Sequence, residues 1–205
     1  SSSRSDQLFY YPADGSIEVY RTDPPGKLQL VHKQTGMRKT WTHLVLGNFN
    51  GTSPYHALFF YDAGAGYGEF WIADGQGNLV KFSDYSNLSK GCTAMVTANL
   101  VGSNSANDIL LYNSSTGSAV IYEVENCKIL KEINAPIRSG VRCILAANVS
   151  ATQWSDLVCY DPAKGEIAIY STTGDGKLTQ FATKAGFPKD WTAMTRGLFR
   201  AGPTT

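Results

Sequence analysis

The sequence predicts an all-β protein, a four-bladed β-propeller built from four repeats of about 50 residues. An apolar segment that ends in tyrosine recurs four times, as LFYY ending at Tyr11, LFFY at Tyr61, ILLY at Tyr112 and LVCY at Tyr160. A second aromatic residue follows each time at Tyr20, Trp71, Tyr122 and Tyr170, five positions after Gly15, Gly66, Gly117 and Gly165. A glycine at fixed register between two apolar segments is typical of a β-hairpin turn.

Two further strands are predicted in each repeat. The third begins at Lys27, Asn78, Lys128 and Lys177, and the fourth begins at Trp41, Cys92, Val141 and Trp191. Apolar residues face both sides of the sheet along the first and second strands of each repeat, so both faces of each sheet are expected to be covered. Four short antiparallel sheets with both faces covered are typical of propeller blades.

The repeats define the predicted domain organisation. Residues 1–5 are predicted to be a flexible tail, and residues 6–205 form one domain with repeats at 6–40, 41–91, 92–140 and 141–190. The segment 191–202, WTAMTRGLFRAG, matches WTHLVLGNFNG at 41–51, so residues 191–205 are predicted to complete the first blade. Pairing of the N- and C-terminal strands would close the ring and remove two open edges. Two chains that share a larger ring are the alternative.

Composition excludes several functional classes. Charged residues make up 17% of the chain and the net charge is +1, which argues against a nucleic-acid or anionic-membrane binder. No apolar run is long enough to span a bilayer, and the chain is interpreted as soluble and already processed. The three histidines form no His-x-x-x-His pair, and no Gly-x-Ser-x-Gly motif occurs. We therefore expect no enzymatic activity, no cofactor and no metal.

The segment GNFNGTSPYHALFFYDAGAGYGEFWIADGQGNL, at 47–79, resembles the FG-GAP-like propeller repeats of secreted proteins. That family includes integrin-type adhesion domains and sugar-binding lectins, so the resemblance implies recognition in an extracellular setting. Many such blades carry an Asp-x-Asp-x-Asp-Gly calcium loop, whereas the corresponding loops here do not. Calcium binding by the family's mode is therefore not expected.

Aromatic side chains suggest where a sugar could bind, because the C–H faces of sugar rings stack on them. The repeated aromatic residues, such as Trp71, are assigned to blade packing. The candidates outside those positions are placed in predicted turns or loops, and they are Trp154, Tyr55, Tyr67 and Tyr85. Trp154 is the first choice. Trp41 with Arg38, and Trp191 with Lys189 and Asp190, form the next group.

These observations predict a secreted, lectin-like module that binds a glycan or glycoprotein, as a monomer or a homodimer. One alternative is a protein-binding propeller for adhesion, inhibition or host interaction. Another is a small ligand or ion in the central channel, to which Asp108 and Asp156 would contribute carboxylates while Gln7 and Ala57 fill the same repeat position.

Cysteines and sequons leave covalent modification open. Cys92 and Cys159 are expected to be core thiols, although Cys92, Cys127, Cys143 and Cys159 together permit up to two disulfides in three pairings. Sequons occur at Asn50, Asn87, Asn113 and Asn148. Asn148 shares a repeat position with two other asparagines, which favours a local backbone hydrogen bond there.

Overall fold

A computed structural model of the chain describes residues 6–23, 26–50, 56–74, 78–102 and 106–195. These residues form fifteen β-strands and no helix. The strands are β1 (Asp6–Tyr11), β2 (Ser16–Asp23), β3 (Lys27–Gln34), β4 (His43–Gly47), β5 (Ala57–Asp62), β6 (Tyr67–Ala73), β7 (Leu79–Tyr85), β8 (Ala94–Ala98), β9 (Asp108–Tyr112), β10 (Ala119–Glu125), β11 (Lys128–Asn134), β12 (Cys143–Ala147), β13 (Asp156–Asp161), β14 (Glu166–Ser171) and β15 (Thr179–Ala185). The all-β prediction is confirmed.

The strands form four antiparallel sheets in which neighbours in sequence are neighbours in the sheet. Sheet 1 contains β1–β3, sheet 2 β4–β7, sheet 3 β8–β11 and sheet 4 β12–β15. Each predicted repeat thus provides one sheet of the blade type. Sheet 1 has three strands among the described residues. Residues 191–195 are not in a strand, and 196–205 lie outside the described residues together with the tail 1–5, so ring closure stays a prediction.

The chain divides into two compact units, 1–91 and 92–205, at the predicted boundary between the second and third repeats. In the first unit, sheets 1 and 2 pack face to face. Their shared core contains Ile17, Val19, Met37, Trp41, Leu58, Phe60 and Leu79. In the second unit, sheets 3 and 4 pack in the same manner around Leu110, Tyr112, Ile121, Leu157, Cys159 and Tyr170.

In both units, the two sheets pack through the same pair of sheet faces. We call the front face of a sheet the one that carries Leu8, Tyr10, Ile17 and Val19 in sheet 1, and its equivalents Leu110, Tyr112, Ala119 and Ile121 in sheet 3. The back face carries Leu58, Phe60, Glu69 and Trp71 in sheet 2, and Leu157, Cys159, Ala168 and Tyr170 in sheet 4. In each unit, the front face of the earlier sheet packs on the back face of the later sheet.

The aligned glycines occupy turns that no other residue fits. Gly66 has φ +64°, and its carbonyl accepts a hydrogen bond from the Leu88 N–H at 2.9 Å. A Cβ on Gly66 would lie 2.4 Å from the Leu88 carbonyl oxygen. The other three pairs are Gly15 with Met37, Gly117 with Ile137 and Gly165 with Phe187, and they have the same geometry. Each of these turns is therefore hydrogen-bonded to the segment that follows the last strand of its sheet.

In every repeat, a tyrosine hydroxyl donates a second hydrogen bond to this same following segment. Tyr112 donates to the Arg138 carbonyl at 2.9 Å, and Tyr10 donates to the Arg38 carbonyl at 2.7 Å. Tyr61 and Tyr160 bond to Ser89 and Pro188 in the same way.

These bonds correct the repeat register in the first sheet. The equivalent of Tyr61, Tyr112 and Tyr160 is Tyr10 rather than Tyr11, because Tyr10 lies five residues before Gly15. Because Tyr10 and Tyr11 are identical residues, composition permits either alignment. The distance to the turn glycine decides between them. The first-repeat equivalent of Asp108 and Asp156 is consequently Asp6 rather than Gln7.

Candidate functional site

Trp154 lies in the loop between β12 and β13, as predicted, and its side chain is half-buried. The indole rests against Gly174 in the connection between β14 and β15. A Cβ on Gly174 would lie 2.3 Å from Trp154 Cζ2, and the φ of Gly174 is +88°. The absence of a side chain at Gly174 therefore makes room for the Trp154 ring.

Asn99 holds the backbone on both sides of Trp154. The Ser155 N–H donates to the Asn99 carbonyl at 2.8 Å, and the Asn99 Nδ2 group donates to the Gln153 carbonyl at 3.3 Å. Asn99 Oδ1 is buried and has no hydrogen-bond partner in the described part of the chain. A buried acceptor without a donor is uncommon in folded proteins and needs an explanation.

A third loop completes this arrangement. The Gly102 N–H donates to the Gly174 carbonyl at 3.0 Å, and Val101 forms an isolated β-bridge with Asp175. The Lys177 N–H donates to Asp175 Oδ1 at 3.0 Å, and this bond lowers the pKa of the exposed Asp175 carboxyl. We call Asn99, Trp154, Ser155, Gly174 and Asp175 the Trp154 loop cluster. It combines one aromatic ring, one unsatisfied acceptor and one ionised carboxylate on three loops of a single unit.

The structure also brings together Arg38, Trp41 and Tyr67. The Arg38 guanidinium carbon lies 4.4 Å from the centre of the Tyr67 ring and 5.5 Å from that of Trp41. Arg38 Nη1 is 3.2 Å from the buried carboxylate of Asp62. Trp41, however, is only 5% exposed and belongs to the core of the first unit, so its faces are not free to stack on a sugar.

Arg138 occupies the position equivalent to Arg38 in the second unit. It pairs with Glu166, which replaces Tyr67, and its Nε lies 3.9 Å from Asp161, which replaces Asp62. The hydrogen bond from Arg138 lowers the pKa of the Glu166 carboxyl. Because both arginines tie an incoming segment to the hairpin of the next sheet, we assign them a structural role.

The remaining predicted residues are dispersed. Trp191 is 43% exposed, with its ring centre 5.4 Å from that of Phe187. Tyr67 and Tyr85 lie in strands rather than in the predicted loops: Tyr67 begins β6 directly after the turn at Gly66, and Tyr85 ends β7, where it pairs with Gly68. Tyr55 lies outside the described residues.

The two carboxylates assigned to a channel site already have backbone partners. Asp108 Oδ2 accepts hydrogen bonds from the Leu100 and Val101 N–H groups, both at 2.8 Å. Asp156 Oδ2 accepts from the Val149 and Ser150 N–H groups at 2.6 and 2.7 Å. Each side chain fixes the loop that precedes its strand. Burial raises the pKa of Asp108 to about 6, against the lowering effect of its three backbone donors.

All four cysteines are free thiols, and Cys92 and Cys159 are buried as expected. Cys127, which replaces a turn glycine, has φ +55° and so keeps the left-handed backbone of the position. Asn148 Nδ2 donates to the Thr152 carbonyl at 3.0 Å, the local bond that the repeat pattern favoured.

The back face of sheet 1 is an exposed surface that sequence reasoning missed. It carries Phe9 and Tyr11, which are 55% and 60% exposed, and also Leu28 and Leu30. An open groove of about 700 Å³ runs across it, bordered by Glu18 and Lys33. The signal in the sequence was the alternation of Phe9 and Tyr11 along β1, which was obscured by the register error.

No protein-family model and no curated protein sequence matches the chain. A structural similarity exists to a protein from Lactobacillus plantarum whose crystal structure was determined by the Northeast Structural Genomics Consortium. The TM-score is 0.60 at 15% sequence identity, over 92% of this chain and 57% of that one. The chain therefore spans little more than half the length of that protein. At this identity, the similarity supports the all-β fold with propeller-type sheets and carries no information on function.

Two features are absent from the described residues. None of these residues forms a helix long and apolar enough to cross a membrane. No three His, Cys, Asp or Glu side chains within the same ranges come together in a way that could hold a metal ion.

Proposed function

We propose that the protein is an extracellular, non-enzymatic recognition module that binds a glycan at the Trp154 loop cluster. The observation that supports this most directly is the half-buried indole of Trp154, which lies in a loop and rests on Gly174 next to the exposed carboxylate of Asp175. A sugar offers an apolar C–H face for the ring and hydroxyl groups for the carboxylate.

The recurring aromatic residues differ from Trp154 in their surroundings. Tyr122 and Tyr170 are 2% and 6% exposed and lie within sheets, so they serve packing. Trp154 lies in a loop, and loops on a rigid scaffold carry a disproportionate share of binding residues.

The polar groups of the cluster favour a ligand that donates hydrogen bonds. The exposed Asp175 carboxylate has a lowered pKa and is ionised at neutral pH, so it only accepts hydrogen bonds. This carboxylate would not favour a carboxylated or sulfated ligand. Neutral sugars, whose hydroxyl groups donate, suit this arrangement.

A glycan array with the purified chain tests the proposal. We expect saturable binding to one class of neutral sugar, unchanged by a chelator. Trp154→Ala should abolish this binding, and Trp154→Phe should weaken it while keeping a smaller ring. Phe82→Ala is the matched control, because Phe82 is an exposed aromatic residue on β7 in the other unit. Array binding that Trp154→Ala leaves unchanged would exclude the site, and an array without any hit would refute the glycan proposal.

A second variant tests the geometry without removing the ring. Gly174→Ala would place a methyl group 2.3 Å from Trp154 Cζ2, so the indole must move. We expect loss of glycan binding with retained β-sheet circular dichroism. Full binding by this variant would show that the position of the indole on Gly174 is irrelevant to recognition.

A further inference from the structure

We infer that a small polar pocket between the hairpin turns of sheets 3 and 4 binds an oxyanion, which is a phosphate, sulfate or carboxylate group, through Arg142 and Ser114. The pocket has a volume of about 320 Å³ and is lined by Thr93, Ser114, Gly140, Val141, Arg142 and Pro162. All six residues belong to the second unit. The Trp154 loop precedes β13 and the Pro162 turn follows it, so the two places lie at opposite ends of that strand. The inference does not depend on the glycan proposal.

The position of Arg142 is occupied by a threonine with a structural role in sheets 2 and 3. Thr42 Oγ1 accepts a hydrogen bond from the Ala63 N–H at 3.0 Å, and Thr93 Oγ1 accepts one from the Ser114 N–H at 3.0 Å. Each threonine hydroxyl also donates to the carbonyl of the tyrosine that precedes the turn. The threonine therefore caps the hairpin turn of its own sheet.

The same cap is impossible in sheet 4. Pro162 occupies the place of Ala63 and Ser114, and proline has no N–H to donate. The backbone N–H of Arg142 keeps the hydrogen bond to the Tyr160 carbonyl at 2.9 Å, so the main chain is held as in the other sheets. The Arg142 side chain has no part in the turn and is therefore available to a ligand.

Two polar groups at the pocket have no partner within the protein. The Arg142 side chain is exposed, and its guanidinium forms no hydrogen bond or ion pair with any residue in the described part of the chain. Arg38 and Arg138 differ from it, because both pair with carboxylates. The Ser114 hydroxyl likewise forms no hydrogen bond among the described residues. Both groups can therefore donate hydrogen bonds to a ligand.

The nearby carboxylate of Asp161 does not oppose an anion in the pocket. It lies 3.7 Å from the position of a Cβ on Gly140, but its side chain is only 2% exposed. Its Oδ1 accepts a hydrogen bond from the Lys164 N–H at 3.2 Å. Its Oδ2 lies 3.9 Å from Arg138 Nε and 3.7 Å from Lys164 Nζ. Two cationic groups therefore offset the charge of Asp161, whereas the charge of Arg142 stays uncompensated.

The two donors determine the class of ligand. A guanidinium is planar and presents parallel N–H groups, which match two oxygens of a carboxylate, sulfate or phosphate. A serine hydroxyl can donate a further hydrogen bond to the same group. The volume lies at the lower end of the range for ligand pockets, which is roughly 300–1,000 Å³. The pocket therefore suits a single oxyanionic group, either as a free anion or as part of a larger molecule.

NMR titration of the full chain with inorganic phosphate, inorganic sulfate and glucose 6-sulfate tests the inference. Potassium chloride at matched ionic strength is the reference. We expect the oxyanions to shift the backbone amide signals of Ser114, Gly140 and Arg142 saturably, and chloride to leave these signals in place. Tighter binding of glucose 6-sulfate than of sulfate would support an anion carried on a sugar. Equal binding of the two would support a free anion.

Substitution of Arg142 tests whether its guanidinium is the main donor. Arg142→Thr should weaken phosphate binding about tenfold or more, because it removes charge-assisted hydrogen bonds. The variant introduces the residue that Thr42 and Thr93 provide in the other sheets, at an exposed position, so it should keep the wild-type circular dichroism spectrum. Arg142→Lys keeps the charge without the planar fork and should bind with intermediate affinity. It replaces Arg142→Thr should the latter fail to fold.

Arg21→Thr is the matched control, because Arg21 is an exposed arginine on β2 in the other unit, and this variant should bind phosphate like the wild type. Ser114→Ala should lower the affinity about fivefold through the loss of one hydrogen bond. The absence of saturable shifts at the pocket with all three oxyanions would overturn the inference. Phosphate binding that Arg142→Thr leaves unchanged would also overturn it, since the anion would then bind elsewhere.

Discussion

The backbone N–H of Leu88 donates a hydrogen bond to the carbonyl oxygen of Gly66 at 2.9 Å, and the carbonyl oxygen of Leu88 lies only 2.4 Å from the position that a Cβ on Gly66 would take. This contact explains why a glycine recurs at the same place in each repeat. A single methyl group added at Gly66 should therefore lower the stability of the fold.

Gly66→Ala should destabilise the protein by about 2–4 kcal/mol, because it combines a left-handed backbone with a collision against a main-chain atom. Urea denaturation of the full chain measures the loss of unfolding free energy. Gly64→Ala in the same turn is the control: its nearest neighbour, Asp62 Oδ1, is 3.5 Å from the new Cβ. We expect a change within about 0.5 kcal/mol there. Equal effects of the two substitutions would contradict the explanation.

Asp108 should make stability depend on pH in the direction opposite to that of most carboxyl groups. Its pKa is raised to about 6 in the folded chain by burial, from 3.8 for the ordinary carboxyl. The folded state therefore binds this proton more tightly than the unfolded state, and the contribution to stability is full below pH about 4 and is lost as the pH rises through about 6. Other carboxyl groups, such as Glu18, have a lowered pKa and act oppositely.

The difference between wild type and Asp108→Asn isolates this effect. We expect the unfolding free energy of the wild type to fall relative to that of the variant between pH 4 and pH 6, as determined by denaturant titration at fixed salt. A difference that is constant over this range would show that Asp108 has an ordinary pKa.

Trp71 should contribute less to stability than its repeated position suggests. The sequence assigned it to the packed core, but its side chain is half-buried and its Nε1 group donates to Glu69 at 2.8 Å. Trp71→Ala should therefore cost about 2 kcal/mol or less. Phe60→Ala, at a fully buried position of the same face, should cost about 3–5 kcal/mol. Thermal unfolding followed by circular dichroism ranks the two, and the reverse order would contradict the burial argument.

The thiols should differ sharply in reactivity. Burial raises the pKa of Cys127 to about 11 and that of Cys159 to about 12, and Cys92 is also buried. Cys143 is partly exposed. A thiol reagent at neutral pH should modify one cysteine in the native chain, Cys143, and four after denaturation. Cys143→Ser should remove the native reaction. Fast modification of two or more native thiols would disagree with the structure.

Much of the fold was predictable because its determinants are local. Each turn glycine lies within a few residues of the strands that it joins, so the four sheets and their order followed from spacing alone. The first sheet shows the limit of this reasoning. Tyr10 and Tyr11 are alike in composition, and only the bond from Tyr10 to the Arg38 carbonyl distinguishes their roles.

The candidate site was only partly predictable, since its parts are distant in sequence. Trp154 was a candidate because it is a tryptophan outside the repeated positions, but no local sequence feature connects it to Asn99 or Gly174. Trp41 and Trp191 have equivalent positions and similar flanking residues, yet Trp41 is buried and Trp191 is 43% exposed. Their burial depends on which sheet lies nearby, which a single repeat does not encode.

The strict succession of neighbouring strands within each sheet also affects how the chain folds. Among the described residues, every pairing in the four sheets joins strands that follow one another in sequence, so the loops that must close before these sheets form are short. Proteins whose contacts are local in sequence fold faster than those that depend on distant pairings. Each sheet is therefore suited to form as soon as its own stretch of about 50 residues has left the ribosome, and a nascent chain would need few later strand rearrangements.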